Sequence, residues 1–291
     1  MTKIDFTEEE CISDYKVILK TKNNSDYELL YEGQTYNVYK ANTLRGCCIL
    51  GNGMQTCLTS LTFGDPVNIA WDKYSDSEQF IFIINKELRL HNNFYICLGS
   101  NYYEMYDKEN FPVNLNSIIN KDLINFINSE SKIKEIIQPY LEPVSLQSIY
   151  YEDVKFDYHN VTELPRRMTF YGKVSFDTTL IKKLPDELYC EDDLSLRHTF
   201  VSKLPDILYL GRNLDIKHTP FKTLPNKLTI RNNLTMSDTL ITRLPEELHV
   251  ADNLNVRSCN INSLPDSLQV GGTIYGFCGD RTKYSRFHFM D

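Results

Sequence analysis

A chain of 291 residues, 42% hydrophobic and with a net charge of −8, is long enough to bury a substantial core. Residues 1–163 hold 14 Lys and Arg against 24 Asp and Glu, whereas residues 164–291 hold 17 against 15. The acidic first part argues against nucleic acid as the ligand, which would require a clustered basic face.

The first ten residues are acidic and lead into no apolar run, so neither a secretory signal nor a transit peptide is expected. The longest apolar stretch, Phe80 to Ile84, falls far short of the roughly 20 residues of a membrane helix. No membrane association is expected. The eight cysteines are irregularly spaced, and Cys190 fills a column occupied twenty residues apart by Leu210, Ile230, Val250 and Val270. It substitutes for a small hydrophobe. Reduced thiols and a cytoplasmic setting follow as the expectation.

Residues 14–22 read as a short strand, and residues 28–42 fit a helix or an extended segment equally well. From Gln79 the pattern sharpens into aromatic and β-branched runs separated by His91-Asn92 and by Gly99-Ser100-Asn101. Such runs predict an antiparallel meander ending near Asp107. Residues 117–141 carry Ile118, Ile119, Leu123, Ile124 and Ile127, then Ile133, Ile136, Ile137 and Leu141, at spacings of three and four. This predicts two helices, or one broken near Ser129 to Ser131, ended by Pro139 and Pro143.

Chemistry in this first part is sparse. Thiol catalysis would require a base, and the available set is Cys47, Cys48 or Cys57 with His91 and Asp65 or Asp72. A zinc site from Cys47, Cys48, Cys57 and Cys97 matches none of the usual C-x2-C spacings. Gly51-Asn-Gly53 lacks the Lys-Ser/Thr of a phosphate-binding loop and predicts a tight turn. The expectation is no cofactor, no metal and no enzyme, with a cysteine-dependent enzyme as the alternative. A Cys-containing turn at 44–53, Trp71-Asp-x-Tyr74, a strand pair and the segment Asp107 to Asn110 together resemble an uncharacterised domain of tailed-phage proteins. That resemblance implies no activity.

The second part is periodic. Leu-Pro recurs at Leu164, Leu184, Leu204, Leu224, Leu244 and Leu264 without a slip. Aligned on it, the fifth position is Met168, Leu188, Leu208, Leu228, Leu248 and Leu268, and the eleventh Val174, Leu194, Leu214, Leu234, Leu254 and Ile274. The thirteenth and eighteenth positions are apolar too, and a degenerate unit at 144–163 precedes the regular ones. Apolar residues two apart predict short strands, and the pairs Asp192-Asp193, Arg212-Asn213, Asn232-Asn233, Asp252-Asn253 and Gly271-Gly272 predict the turns between them. Twenty residues leave no room for a full helix, so each rung should run strand, turn, strand, corner and short return. Stacked rungs then align like strands in parallel.

Proline suits the corner because it has a fixed φ and no N–H. Thr179, Thr199, Thr219 and Thr239, followed by Cys259, form a column whose hydroxyls are expected to bond the adjacent coil in a ladder. Leu194-x-Leu196-x-x-Thr199-x-Val201 and Leu214-x-Ile216-x-x-Thr219-x-Phe221 resemble the leucine-rich repeat signature, with Thr where that family carries Asn. The array resembles short leucine-rich repeats of the bacterial and phage Leu-Pro type. By the same comparison the asparagine ladder is missing, and the apolar seventh position sits one residue from the family's usual first Leu.

The predicted fold class is an α+β N-terminal domain followed by a leucine-rich repeat or β-solenoid array with parallel strands. Its parts are residues 1–113, a helical linker and N-terminal cap at 114–143, repeats at 144–275 and a C-terminal cap at 276–291. Repeat arrays bind through the outward residues of their strands. Here these include Tyr189, Tyr209 and His249 on the first strand, and Arg197, Lys217, Arg257, His198 and His218 on the second strand and its exit. Tyr, Arg and His are common at interfaces. His198 and His218 should stack about 5 Å apart on adjacent rungs, but no third column accompanies them as metal ligands. The expected function is non-enzymatic recognition of a protein partner; a structural or virion component is a third reading. The resemblance to phage proteins implies an accessory factor acting on a host protein in the host cytoplasm.

Overall fold

A computed structural model describes residues 16–51, 79–87, 92–100 and 102–291, which fall into two units, 1–141 and 142–291. In the first unit, residues 16–21 form a helix where the sequence predicts a strand. One apolar anchor decides the matter: Ile18 is buried at 1% exposure while Val17 stays in solvent at 56%, and Thr21 Oγ1 donates back to Val17 O at 3.1 Å.

The undecided segment is extended. β1 (Tyr27–Glu32) and β2 (Tyr36–Ala41) form an antiparallel hairpin. The cysteine-bearing turn expected at 44–53 is, over Leu44–Leu50, a helix that starts at Thr43, whose Oγ1 accepts from Gly46 N at 3.0 Å. Gly46 permits it: a Cβ there would lie 2.0 Å from Asp26 O.

β3 (Gln79–Asn85), β4 (Phe94–Leu98) and β5 (Tyr103–Asp107) complete the expected meander, giving one sheet in the order β1-β2-β3-β4-β5. Both faces of β3 are covered. Phe80, Phe82 and Ile84 join a core with Ile18, Tyr39, Cys47 and Leu50, while Ile81 and Ile83 are buried as well. That two-sided burial explains why β3 reads as a continuous apolar run rather than an alternation.

The predicted helices are Lys121–Ser129 and Ser131–Leu141, and Pro139 is accommodated in the last turn of the second instead of ending it. They belong to the first unit. Phe126 packs on Tyr31 at 6.2 Å between ring centroids, and Tyr140 packs edge-on to Tyr103 at 4.8 Å. The Asp122 carboxylate accepts from Thr35 N at 2.6 Å and Tyr36 N at 3.2 Å, capping the β1–β2 turn. Burial pushes this carboxyl up, but the N–H groups of Thr35, Gln34 and Tyr36 outweigh it and hold the group below its ordinary range.

The second unit is a parallel β-solenoid of about six turns over residues 149–275. Apart from the last, its strands come in pairs, one pair every twenty residues. β6 (Ile149–Tyr150) and β7 (Val154–Lys155) open it, followed by β8 (Arg167–Phe170) and β9 (Val174–Ser175), then β10 (Glu187–Cys190) and β11 (Leu194–Ser195). β12 (Ile207–Leu210) and β13 (Leu214–Asp215) come next, then β14 (Lys227–Ile230) and β15 (Leu234–Thr235). β16 (Glu247–Val250), β17 (Leu254–Asn255), β18 (Gln269–Val270), β19 (Thr273–Tyr275) and β20 (His288–Met290) finish the chain.

Register is twenty residues from rung to rung, as in Leu188↔Leu208 and Leu214↔Leu234, and fifteen where β20 joins β19, Thr273↔His288. The second strands of the rungs stack in one sheet from β7 to β19, which β20 extends to eight strands. The first strands do not. They divide into a four-stranded sheet, β6 to β12, and a three-stranded sheet, β14 to β18.

The Leu, Ile, Val and Phe columns predicted to face inward form a single core, including Cys190 at 0% exposure. Burial pushes the Cys190 thiol up to about 12, so it behaves as a small apolar group. Toward the array's start the core is aromatic: Phe156 stacks on Phe176 at 5.0 Å and Tyr150 on Phe170 at 5.2 Å.

Two polar columns differ from expectation. Thr179, Thr199 and Thr239 do not reach across to the next coil's backbone; their hydroxyls donate to Phe176 O, Leu196 O and Met236 O of their own rung at 2.7–2.8 Å. Three residues of separation close a local turn; at the column's end Cys259 does cross, its Sγ donating to Met236 O at 3.0 Å and lying 3.4 Å from Thr239 Oγ1. An asparagine ladder does exist, in the column read as turn residues. Asn213 Oδ1 accepts from Asn233 N and Nδ2 at 3.0 and 2.9 Å, and Asn233 Oδ1 accepts from Asn253 N and Nδ2 at 3.1 and 2.9 Å. Asp193 begins the run by accepting from Asn213 N at 3.2 Å, and Asn253 ends it on Thr273 N at 2.9 Å.

Candidate functional site

The predicted site residues divide between the two ladders. Tyr189, Tyr209 and His249 lie on first strands; Arg197, Lys217, Arg257, His198 and His218 lie where the second strands end.

On the first-strand side an aromatic strip runs along the array. The rings of Tyr189 and Tyr209, register partners across β10 and β12, stack at 4.5 Å and 7°. Tyr171 continues the strip, 6.1 Å from Tyr189, and Tyr151 stacks on Tyr171 at 5.3 Å and 5°. The far end is closed by Arg231, whose guanidinium lies 5.3 Å from the Tyr209 ring. Tyr151, Tyr171 and Arg231 were not picked out from the sequence. Their signal was the twenty-residue interval between Tyr151 and Tyr171 in the turn column, which the alternation of the strands obscures. Tyr151 is 75% exposed and Tyr171 46%. Ring stacking fixes the side chains before any partner arrives.

At the exit of the second strands, one residue per rung adopts a left-handed backbone: Tyr158, Thr178, His198, His218, Asp238 and Ser258, with φ from 55° to 61°. Non-glycine residues pay about 1–2 kcal/mol for this conformation, and here it is held by the neighbouring rung. Thr178 N donates to Arg197 O at 2.8 Å, His198 N to Lys217 O at 3.2 Å and Asp238 N to Arg257 O at 3.0 Å. The expected histidine stack is present, with ring centroids 4.4 Å apart. Burial, then the neighbouring His218, Arg197 and Lys217, bring His198 down to about 4. Burial also lowers His218, against the opposing pull of Asp238 at 3.6 Å. Burial thus favours the neutral form of both rings.

Arg197 is engaged within the array. Its Nε and Nη2 each lie 2.6 Å from Asp177 Oδ2, and Asp215 Oδ2 is 3.9 Å away. Asp177 Oδ1 also accepts from Arg197 N at 2.9 Å and from Ser195 Oγ at 2.6 Å. Burial raises the carboxyls of Asp157 and Asp215 along the same exit. Arg257 lies 5.1 Å from the Tyr275 ring and donates to the carbonyl of Asp291. Lys217 N donates to Asp215 Oδ1 at 3.0 Å. His249 is exposed between its register partners Thr229 and Gln269.

Of the set weighed for thiol chemistry, Cys57, Asp65, Asp72 and His91 lie outside the described residues. Cys47 is buried at 0% exposure, and burial pushes the Cys48 thiol up, away from the thiolate that nucleophilic catalysis requires. Among the described residues no group of three or more His, Cys, Asp or Glu is placed to hold a metal ion, and no helix is long and apolar enough to cross a membrane. No protein-family model, curated protein or solved structure matches the chain.

Proposed function

We propose that the solenoid is a protein-recognition module, binding a partner protein through the outward face of its first strands with the Tyr171–Tyr189–Tyr209–Arg231 strip as anchor. The observation that carries this reading is the Tyr189–Tyr209 stack, 4.5 Å apart at 7°, on a strand pair in strict register. Aromatic rings already ordered lose little side-chain entropy on association, and each covers a large amphipathic area. Arg197, among the outward residues expected from the sequence, is engaged by Asp177 and serves the array first. In this reading the chain is a short Leu-Pro leucine-rich repeat protein of the bacterial and phage kind, and the partner is a host protein. The test is alanine replacement of Tyr189 and Tyr209 together, with affinity for a confirmed partner measured by calorimetry. Loss of about 2 kcal/mol or more, with the melting transition unchanged, supports the reading. Unchanged affinity removes the strip from it.

A further inference from the structure

The first-strand ladder is interrupted once, between β12 and β14, while the second strands β13 and β15 pair across the same step. The rung at the interruption ends in a glycine packed on its predecessor. Gly211 sits so close to the preceding rung that a Cβ would lie 1.7 Å from Glu191 O. Its N–H donates to Cys190 O at 2.8 Å. On the far side of β12 no strand pairs, and space is left beside it.

What opens is a cleft of about 480 Å³ whose lining includes Pro205, Leu208, Tyr209, Pro225, Leu228 and Arg231. Leu208 is partly exposed, whereas its column neighbours Leu188, Leu228 and Leu248 are buried at 1–6%. The backbone groups of β12 and β14 that face the cleft make no ladder bond. At the position that ends each first strand, the N–H donates to the preceding rung: Tyr171 to Tyr150 O, Glu191 to Phe170 O, Gly211 to Cys190 O, Ala251 to Ile230 O and Gly271 to Val250 O, at 2.8–3.0 Å. Among the described residues of this column, Arg231 lacks that bond. By the same register the N–H of Thr229 and the carbonyls of Leu208 and Leu210 face the cleft. In the free protein these groups are left to solvent.

We infer that this cleft is the anchoring site of the recognition surface and that its occupant is an extended peptide segment of the partner. The segment adds as a strand to the edges of β12 and β14 and seats an apolar side chain on Leu208 and Leu228. This rests on the reading of the first-strand face as the recognition surface. It goes further in naming the partner's conformation. Two facing strand edges select a ligand that brings its own alternating N–H and C=O groups, and a helix has none to offer. The Tyr209 ring and the Arg231 guanidinium, stacked over one another across the opening, form its outer rim.

The experiment has two arms on the full chain. Hydrogen exchange of the free protein should show Thr229 and Arg231 amides exchanging at least about 100-fold faster than that of Ala251, since one lies on an open edge and the other in a ladder. Equal protection would mean that the cleft is closed, overturning the proposal while leaving the tyrosine strip untouched. In the second arm, a surface-displayed library of eight-residue peptides is selected on the protein, and a selected peptide is resynthesised with alternate backbone nitrogens methylated. The proposal expects that the parent peptide slows exchange at Thr229 and Arg231 and that methylation weakens binding about tenfold or more. Failure to select any peptide, or binding indifferent to backbone methylation, counts against strand addition. Because both arms are read on the wild-type protein, no misfolded variant can obscure the outcome.

Discussion

The Asp177 carboxylate takes four donors from the next rung, namely Ser195 Oγ, Arg197 N and the Arg197 Nε and Nη2, all within 2.6–2.9 Å. With the Asp177 side chain only 8% exposed and that of Arg197 at 50%, the two partners are unequal. Asp177→Ala should cost about 2–3 kcal/mol in urea unfolding, because it strips acceptors from three groups at once. Arg197→Ala should cost about 1 kcal/mol, since the carboxylate keeps Ser195 and the Arg197 N–H. Equal losses would show that the guanidinium contact, and not the rung-to-rung bonding, carries the stabilisation.

The asparagine ladder makes a second contrast within one dipeptide. Asn233 donates to Asn213 Oδ1 and accepts from both nitrogens of Asn253, so Asn233→Ala should lose about 2 kcal/mol. Asn232→Ala, at the preceding turn position, should change stability by less than about 0.5 kcal/mol. Chemical denaturation of the two variants decides between a ladder and a merely polar turn.

His198 has a pH signature of defined sign. Its folded pKa of about 4 lies below the ordinary 6.5, so the unfolded chain binds more protons between these values. The contribution is fully present above pH 6.5 and is lost as pH falls toward 4. Asp157 and Asp215, whose carboxyls are raised, act in the opposite direction, which makes the informative quantity a difference. His198→Asn, which tolerates the left-handed backbone, should flatten the melting-temperature profile between pH 6.5 and 4 relative to wild type. Parallel profiles would rule out His198 as the source.

Proline scanning tests the interruption in the first-strand ladder. Ala251 N donates to Ile230 O at 2.9 Å, whereas Arg231 at the same place in the preceding rung makes no such bond. Ala251→Pro should therefore cost about 3 kcal/mol or more, and Arg231→Pro clearly less, losing chiefly an exposed contact with Tyr209. Comparable losses would indicate a continuous ladder.

Much of the second unit could be read from the chain because its information is periodic. A column of Leu, Ile and Val every twenty residues leaves one way to make an inside, and Cys190 could be assigned from its neighbours alone. The interruption after β12 was not legible, since Leu208 and Leu228 occupy the same column as residues whose strands do pair. Nor was the left-handed column, because its residues carry no glycine punctuation, and the N–H groups of Thr178, His198, His218 and Asp238 are held by carbonyls of the next rung. The asparagines were visible but looked like turn formers, as Asn does whenever the acceptor lies in another coil. In the first unit no repetition amplified the weak local signals, so residues 16–21 and 44–50 adopted helices that short windows could not distinguish from strand and turn. The aromatic strip was half legible: Tyr189 and Tyr209 share a strand position, whereas Tyr171 and Arg231 join them from the adjoining turn.

The central claim, recognition of a protein by the tyrosine strip, is tested most directly by parallel pull-downs from the natural cell. Wild type is compared with the Tyr189→Ala/Tyr209→Ala double variant, both verified to melt alike, and bound proteins are quantified by mass spectrometry. The account predicts a partner retained by the wild type and depleted about tenfold or more on the double variant. The same proteins retained in equal amounts by both would contradict it.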